Sequence, residues 1–310
     1  IKLIDDQGHT ELESDLAACL TQRGLAQRAQ ARLPEVLSAY RQALGIRGGP
    51  TSLSYLDELA IRDFDRAITI YSRLVEQDGH SELAGQLALS LNSCAKTRRD
   101  QGNNFDALQD FERAAALCTQ FIEQHGEAEL THQLATSLAG QGELLRSQQR
   151  LAEAFENFGR AIEILDRLGD ETTGTALAGD RAVTLSGRAD VLRDQGNLAE
   201  AKLGYDEAIR LYTDLVEQQR RTDLTYEFAR ALYHRNNVVR DQGTLPETTQ
   251  ELDKAISLFT TLVEKQGRTE LTIELASSLA RRGDVLRALG KAVESVKDFD
   301  RAITLYTRLV

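Results

Sequence analysis

The chain has 310 residues, 41% hydrophobic and 27% charged, with a net charge of −11; this fits a soluble folded protein and argues against bulk-charge binding to nucleic acid or an anionic membrane. No apolar run approaches the ~20 residues of a membrane span, and no basic region followed by an apolar stretch stands at IKLIDDQGHT. Three cysteines without a CxxC pair suit buried thiols in a reducing, cytoplasmic setting better than a disulfide framework, and the few prolines and aromatics lean toward helix.

In chain order the predicted elements repeat. Leu83, Leu130, Leu177, Leu224 and Leu271 are 47 residues apart, and so are Phe64, Phe111, Phe158, Tyr205, Leu252 and Phe299. Ala67, Ala114, Ala161, Ala208, Ala255 and Ala302 keep the same interval, and Leu12, Tyr40 and Ala43 match near the start. Each unit reads as two helices. Leu271, Leu275, Leu279, Gly283 and Leu286 form one apolar face at helical spacing, and Val293, Val296, Phe299, Ala302 and Ile303 form another.

The predicted units are a first repeat at 1–47 carrying the tail of a preceding helix and a truncated repeat at 48–80. Full repeats follow at 81–127, 128–174, 175–221 and 222–268, with an incomplete last one at 269–310. The whole reads as a single array, 1–310, cut from a longer one. At the truncation GIRGGP occupies residues 45–50, and a shortened first helix is expected around residues 52–60, with a hinge over residues 45–60 or a simple deletion as alternatives.

The tetrapeptide RDQG recurs at residues 99–102, 193–196 and 240–243, where first helices should end. Gly102, Gly196, Gly243 and Gly290 share the column, as expected of a helix ending in the left-handed region. Asp106, Glu153, Glu200, Glu247 and Glu294 follow, suited to the positive end of the second helix. Thr10, Ser81, Thr175, Thr222 and Thr269 are hydroxyl cap candidates for the first helices.

Leu185, Ala189, Leu192, Gly196, Ala201, Tyr205 and Ala208 follow a pattern that resembles the tetratricopeptide repeat, over nearly the whole chain. The 47-residue period is longer than that family's 34, and a position commonly leucine is polar at Arg23, Gln141, Arg188, Arg235 and Arg282. The resemblance implies an all-α, right-handed superhelical solenoid of antiparallel helix pairs whose first helices line a concave groove. It implies a protein-interaction scaffold that holds a peptide or partner protein, with no cofactor.

Candidate groove residues are the arginine column Arg28, Arg99, Arg146, Arg193, Arg240 and Arg287, with Asn92, Lys96, Tyr233 and Asn237. The arginines read in two ways. They either bridge neighbouring helices, as i,i+3 pairs such as Asp190–Arg193 and Asp284–Arg287 would, or form a ladder for carboxylates. Six first-helix windows of 19 residues carry a net +4 against −15 elsewhere, which would favour an acidic segment in the groove. His9, His80, His125, His132 and His234 form no metal motif, and Cys94 and Cys118 fall on apolar positions. No catalytic constellation stands out, so the chain reads as a non-enzyme. Two alternatives stay open: a regulatory or substrate-docking module of a larger enzyme, and a structural spacer or self-assembling array.

Overall fold

The computed structural model describes residues 6–31, 51–125, 128–171, 175–239 and 245–309. Among them there are helices and turns and no strand. The chain divides into two units, residues 1–168 and 169–310. The first holds α1 (Asp6–Ala31), α2 (Thr51–Ser72), α3 (Ala84–Asp100), α4 (Asn104–His125), α5 (Ala128–Ser147) and most of α6 (Leu151–Glu171). The second holds α7 (Thr175–Asp194), α8 (Leu198–Thr213), α9 (Thr225–Val239), α10 (Leu245–Thr260), α11 (Thr272–Ala288) and α12 (Ala292–Thr307).

Within each unit consecutive helices pack as pairs, and each pair packs on the next: α1 on α2, α2 on α3, α3 on α4, and in the second unit α7 on α8 through α11 on α12. First helices also touch one another, α1 with α3, α3 with α5, and α7 with α9. The repeating aromatic fills the pair interface because a small residue faces it. Gly142 faces Phe158 and Gly283 faces Phe299, each sixteen residues on, and a Cβ at either glycine would lie 2.9 or 3.0 Å from the ring. Ala95 and Phe111, at the same spacing, share one core cluster with Ala107 and Leu144.

α1 and α2 pair in the same way across a longer connection. Gly24 faces Phe64, forty residues on, with a Cβ-to-ring distance of 2.8 Å. Residues 52–60, expected as a shortened first helix, are instead the opening turns of α2, which runs unbroken to Ser72. α1 therefore takes the first-helix role and α2 the second-helix role in one pair; residues 32–50, including Tyr40, Ala43 and Glu35, lie outside the described residues.

The recurring tetrapeptide caps first helices. Gly102, Gly196 and Gly290 have φ of +81°, +83° and +75°. Gly102 N–H donates to the Arg99 carbonyl at 2.8 Å and Asn103 N–H to that of Arg98 at 2.9 Å. Gly196 and Asn197 do the same to Arg193 and Leu192, so two carbonyls at the helix end are satisfied each time. Asp106, Glu153, Glu200 and Glu294 sit in the first turns of the second helices, where the dipole favours them.

The expected hydroxyl caps take another form. Ser81, Thr222 and Thr269 open a 3₁₀ turn that leads into the first helix, and no side-chain cap bond forms at these starts. Instead the Thr222 and Thr269 carbonyls accept from the Thr225 and Thr272 hydroxyls at 2.7 and 2.6 Å. The preceding second helices end in a π-helical turn at Arg73–Gln77, Asp214–Gln218 and Thr261–Lys265, after which the chain turns at Gly79, Arg220 and Gly267.

Two non-glycine residues occupy glycine places. Gln149 (φ +63°) stands in the column of Gly102 and Gly196, and Arg220 (φ +57°) in that of Gly79 and Gly267. A Cβ in this conformation costs about 1–2 kcal/mol, partly offset by the entropy of an added glycine in the unfolded chain. Gln149→Gly and Arg220→Gly are each expected to stabilise the protein by about 0.5–1 kcal/mol, read as a rise in the denaturation midpoint.

Candidate functional site

The arginine column is largely engaged in holding helices. Arg28 on α1 binds Asp100 on α3 at 2.9 Å, and Arg99 on α3 binds Glu143 on α5, so both tie one first helix to the next. Arg193 donates to Asp190 at 3.1 Å and to the Tyr205 hydroxyl at 3.3 Å, and the Tyr205 hydroxyl donates to Asp190 as well. Asp190 is buried, so Arg193 supplies the positive charge that an interior carboxylate requires. Arg287 is 73% exposed and reaches only one turn back, to Asp284 at 3.1 Å. Arg146 is half-buried, and Arg240 lies outside the described residues.

Asn92 corrects the expectation of a groove residue, because it is buried. Its amide donates to the Gln133 carbonyl and side-chain oxygen, each at 3.0 Å, and its own oxygen accepts from Ser137 at 2.8 Å. It joins α3 to α5 with its polar atoms satisfied, so no ligand reaches it. Lys96 is half-buried on the same helix.

A second arginine column is the stronger device. Arg282 binds Asp298 on its own partner helix through two bonds of 2.7 Å and Asp253 on the preceding second helix at 2.6 Å. Those hydrogen bonds, with Asp298 foremost, raise the pKa of Arg282. Arg235 repeats the arrangement with Glu251 and Asp206, the latter at 2.6 Å. Burial pushes the Asp206 carboxyl up, yet its bonds to Lys202 and Arg235 outweigh this and hold it below the usual carboxylate range. Arg23 holds Asp63 through two bonds of 2.6 Å. Where the column turns neutral its partner does too: Gln141 accepts from Asn157 at 3.1 Å. In the second pair Cys94 fills the position, and Arg98, one turn on, binds Asp65 at 2.7 Å and Asp110.

These positions stood in the sequence only as polar departures from a leucine column. The signal that would have found their role is the matching acid columns, at Asp63, Asp110, Glu251 and Asp298 and at Asp65, Asp206 and Asp253.

The clefts follow from this wiring. One of about 600 Å³ in the first unit is lined by Arg62, Arg66 and Arg98 together with Glu58, Asp65 and Asp106. Its counterpart in the second unit, about 280 Å³, contains the Asp253–Arg282–Asp298 bridge itself. Both are mixed in charge.

A different surface is richer in anchors. Tyr226, Arg230, Tyr233 and Asn237 lie at spacings of four, three and four along α9, one stripe of a helix, and all four are partly exposed. The Arg230 and Arg268 guanidiniums sit 5.9 and 5.2 Å from the Tyr226 ring centroid, and Tyr233 packs on His234 at 5.4 Å. Burial pushes the Tyr226 phenol up, so it stays a neutral hydrogen-bond donor. Tyr233 and Asn237 were candidates from the sequence; Tyr226 and Arg230 join them here.

The chemistry of the thiols is suppressed. Burial raises the pKa of Cys94, whose thiol donates to Asp65 at 3.7 Å, and pushes that of Cys118 up to about 12. Cys19 is exposed. A disulfide-exchange reagent at pH 8 is expected to titrate one fast thiol in the native protein and three after denaturation; three fast native thiols would contradict the packing. Among the described residues no group of three His, Cys, Asp or Glu is placed to hold a metal ion, and no helix is long and apolar enough to cross a membrane.

No protein-family model and no curated protein sequence matches the chain. Solved structures do. The crystal structure of BtubC (BKLC) from P. vanneervenii aligns with a TM-score of 0.60 and 17% identity over 82% of this chain and 92% of that one. The apo form of RapI aligns with a TM-score of 0.52 and 15% identity over 94% of this chain and 98% of that one. A putative kinesin light chain with nearly identical TPR-like repeats, from Podosopora anserina, gives a TM-score of 0.42 at 15% identity over 74% and 97%. With the helix pairs described above, the likeness to BtubC and RapI shows an all-helical fold of stacked helix pairs.

Proposed function

We propose that the chain is a protein-interaction scaffold that holds an extended segment of a partner protein along its first helices, with the α9 stripe as the anchoring surface. The observation that carries this is the stripe of Tyr226, Arg230, Tyr233 and Asn237, because tyrosine and arginine are the residues that dominate binding energy in protein interfaces. Two guanidiniums over one ring place positive charge there, which suits an acidic segment. On a first helix of the same unit Arg287 would widen the contact, while Arg28, Arg99 and Arg193 hold their charge inside the protein. The single array from 1 to 310 remains our reading of its organisation, with α1 and α2 as one pair and the repeats from residue 81 onward at the boundaries given above.

The test is binding of an acidic peptide library to the wild type and to Tyr233→Ala/Arg230→Ala at low and high salt. The proposal requires that the wild type select peptides and that the variant, folded at the assay temperature, lose them by tenfold or more; Arg230 also stands 3.8 Å from the buried Asp190, so a small drop in melting temperature is expected. Library binding that survives in the variant would move the site elsewhere.

A further inference from the structure

Gly140, Gly187, His234 and Arg281 occupy one column of the first helices. At Gly140 the missing side chain lets the Phe111 ring of the preceding pair close on α5, so near that a Cβ would lie 2.3 Å from it. Two repeats on, an imidazole stands in that place. His234 on α9 has its ring centroid 6.4 Å from that of Tyr205, the repeat equivalent of Phe111, and 5.4 Å from that of Tyr233. It is half-buried, and it is the only histidine in the sequence from residue 169 onward.

One ring therefore stands between two systems. On one side the Tyr205 hydroxyl donates to the buried Asp190, which Arg193 binds at 3.1 Å and Arg230 approaches to 3.8 Å. On the other side is Tyr233, part of the α9 stripe. Charged and titratable groups surround the ring from each neighbouring helix: Asp190 and Arg193 on α7, Tyr205 and Asp206 on α8, Glu251 on α10, and Arg230, Tyr233 and Arg235 on α9 itself. Most of these charges answer one another. Arg193 binds Asp190 and Asp194, and Arg235 binds Asp206 and Glu251. Carboxylates bound in this way stay ionised through mildly acidic pH, whereas an imidazole changes charge there.

We infer that His234 makes partner binding at the α9 stripe depend on pH: its protonation sets a positive charge beside Tyr233 and tightens the hold on an acidic segment. The inference rests on the reading of the stripe given above. An imidazole ordinarily gains its proton near pH 6.5, so the change falls across about pH 8 to 5.5. One unit charge added several ångströms from a bound carboxylate shifts affinity by about three- to tenfold at the effective dielectric of a protein surface. The coupling is reciprocal, so the bound segment holds the proton on His234 more strongly by the same factor.

The test uses the acidic peptides that the wild type selects, made with aspartate as their acid so that the ligand stays ionised over the whole range. Wild-type affinity is expected to rise about three- to tenfold from about pH 8 to 5.5, and that of His234→Gln to stay level. Melting curves at each pH separate a change of fold from a change of binding. A second readout decides on the wild type alone, should the variant fold poorly. The His234 ring resonance, followed by NMR against pH, should show its midpoint raised by about half to one pH unit when peptide is bound. An affinity that is level in the wild type, or that rises as much in His234→Gln, overturns the inference and leaves the stripe as the partner site. So does a midpoint that peptide leaves unmoved. A wild type that binds no acidic peptide at any pH removes the reading of the stripe, and this inference with it.

Discussion

Phe111→Ala is expected to cost about 3–5 kcal/mol of stability, the range for emptying a fully buried aromatic site. Phe111 has no exposed surface and sits with Ala95, Ala107 and Leu144 in one cluster. Its ring also lies against the next first helix at Gly140, where an added Cβ would come within 2.3 Å of it. Collapse into the vacated space is limited because, Leu144 and the partly buried Leu108 apart, the facing positions are a glycine and alanines, which have no side chain long enough to swing in. The converse change tests the same contact: Gly140→Ala should cost about 1–3 kcal/mol through overpacking against the ring. Denaturant unfolding measures both. A loss below 1 kcal/mol for Phe111→Ala would mean that the pairs do not close around this ring.

Arg193→Ala is the second large effect, expected at about 3–5 kcal/mol, because it leaves the buried Asp190 without its nearest cation. The Tyr205 hydroxyl remains, but it is neutral, and Arg230 is 3.8 Å away, too far for a good hydrogen bond. The penalty belongs to the stranded charge and not to the missing bonds alone. Arg193→Ala/Asp190→Asn should therefore recover most of the loss, and a double-mutant cycle by thermal melting would show it. A fully additive pair would contradict the bridge.

The period and the glycine caps were legible from the sequence because each recurs in a fixed column; the packing of small residues on aromatics follows the same columns but came from the structure. Gly142 and Phe158, or Gly283 and Phe299, stand sixteen residues apart in one unit, so one column predicts the other. The partners of Arg282 and Arg235 were harder to read. Each arginine uses one acid on its own second helix and another on the preceding one, and only a fold that stacks the pairs brings the three together. The pairing of α1 with α2 was hidden for the same reason: Gly24 and Phe64 are forty residues apart, and the intervening Tyr40 offered a nearer match. Asn92 looked like a surface residue by type, yet a buried amide is stable where Gln133 and Ser137 satisfy it. The stripe on α9 was half legible. Tyr233 and Asn237 stood out, whereas Tyr226 and Arg230 gained meaning only when Arg268 came to lie on the same ring.

The central claim is that the arginines of the recurring tetrapeptide hold the repeats together while the α9 stripe holds the partner. The most direct measurement is acidic-peptide binding and melting on one sample series: wild type, Arg99→Ala/Arg193→Ala, and Tyr233→Ala/Arg230→Ala. The account predicts that the first variant melts several degrees lower and, kept below that temperature, still binds the peptides. It predicts that the second, which loses only the 3.8 Å contact of Arg230 with Asp190, melts much closer to the wild type than the first and binds none. An Arg99→Ala/Arg193→Ala protein that melts normally and has lost the peptides would contradict it.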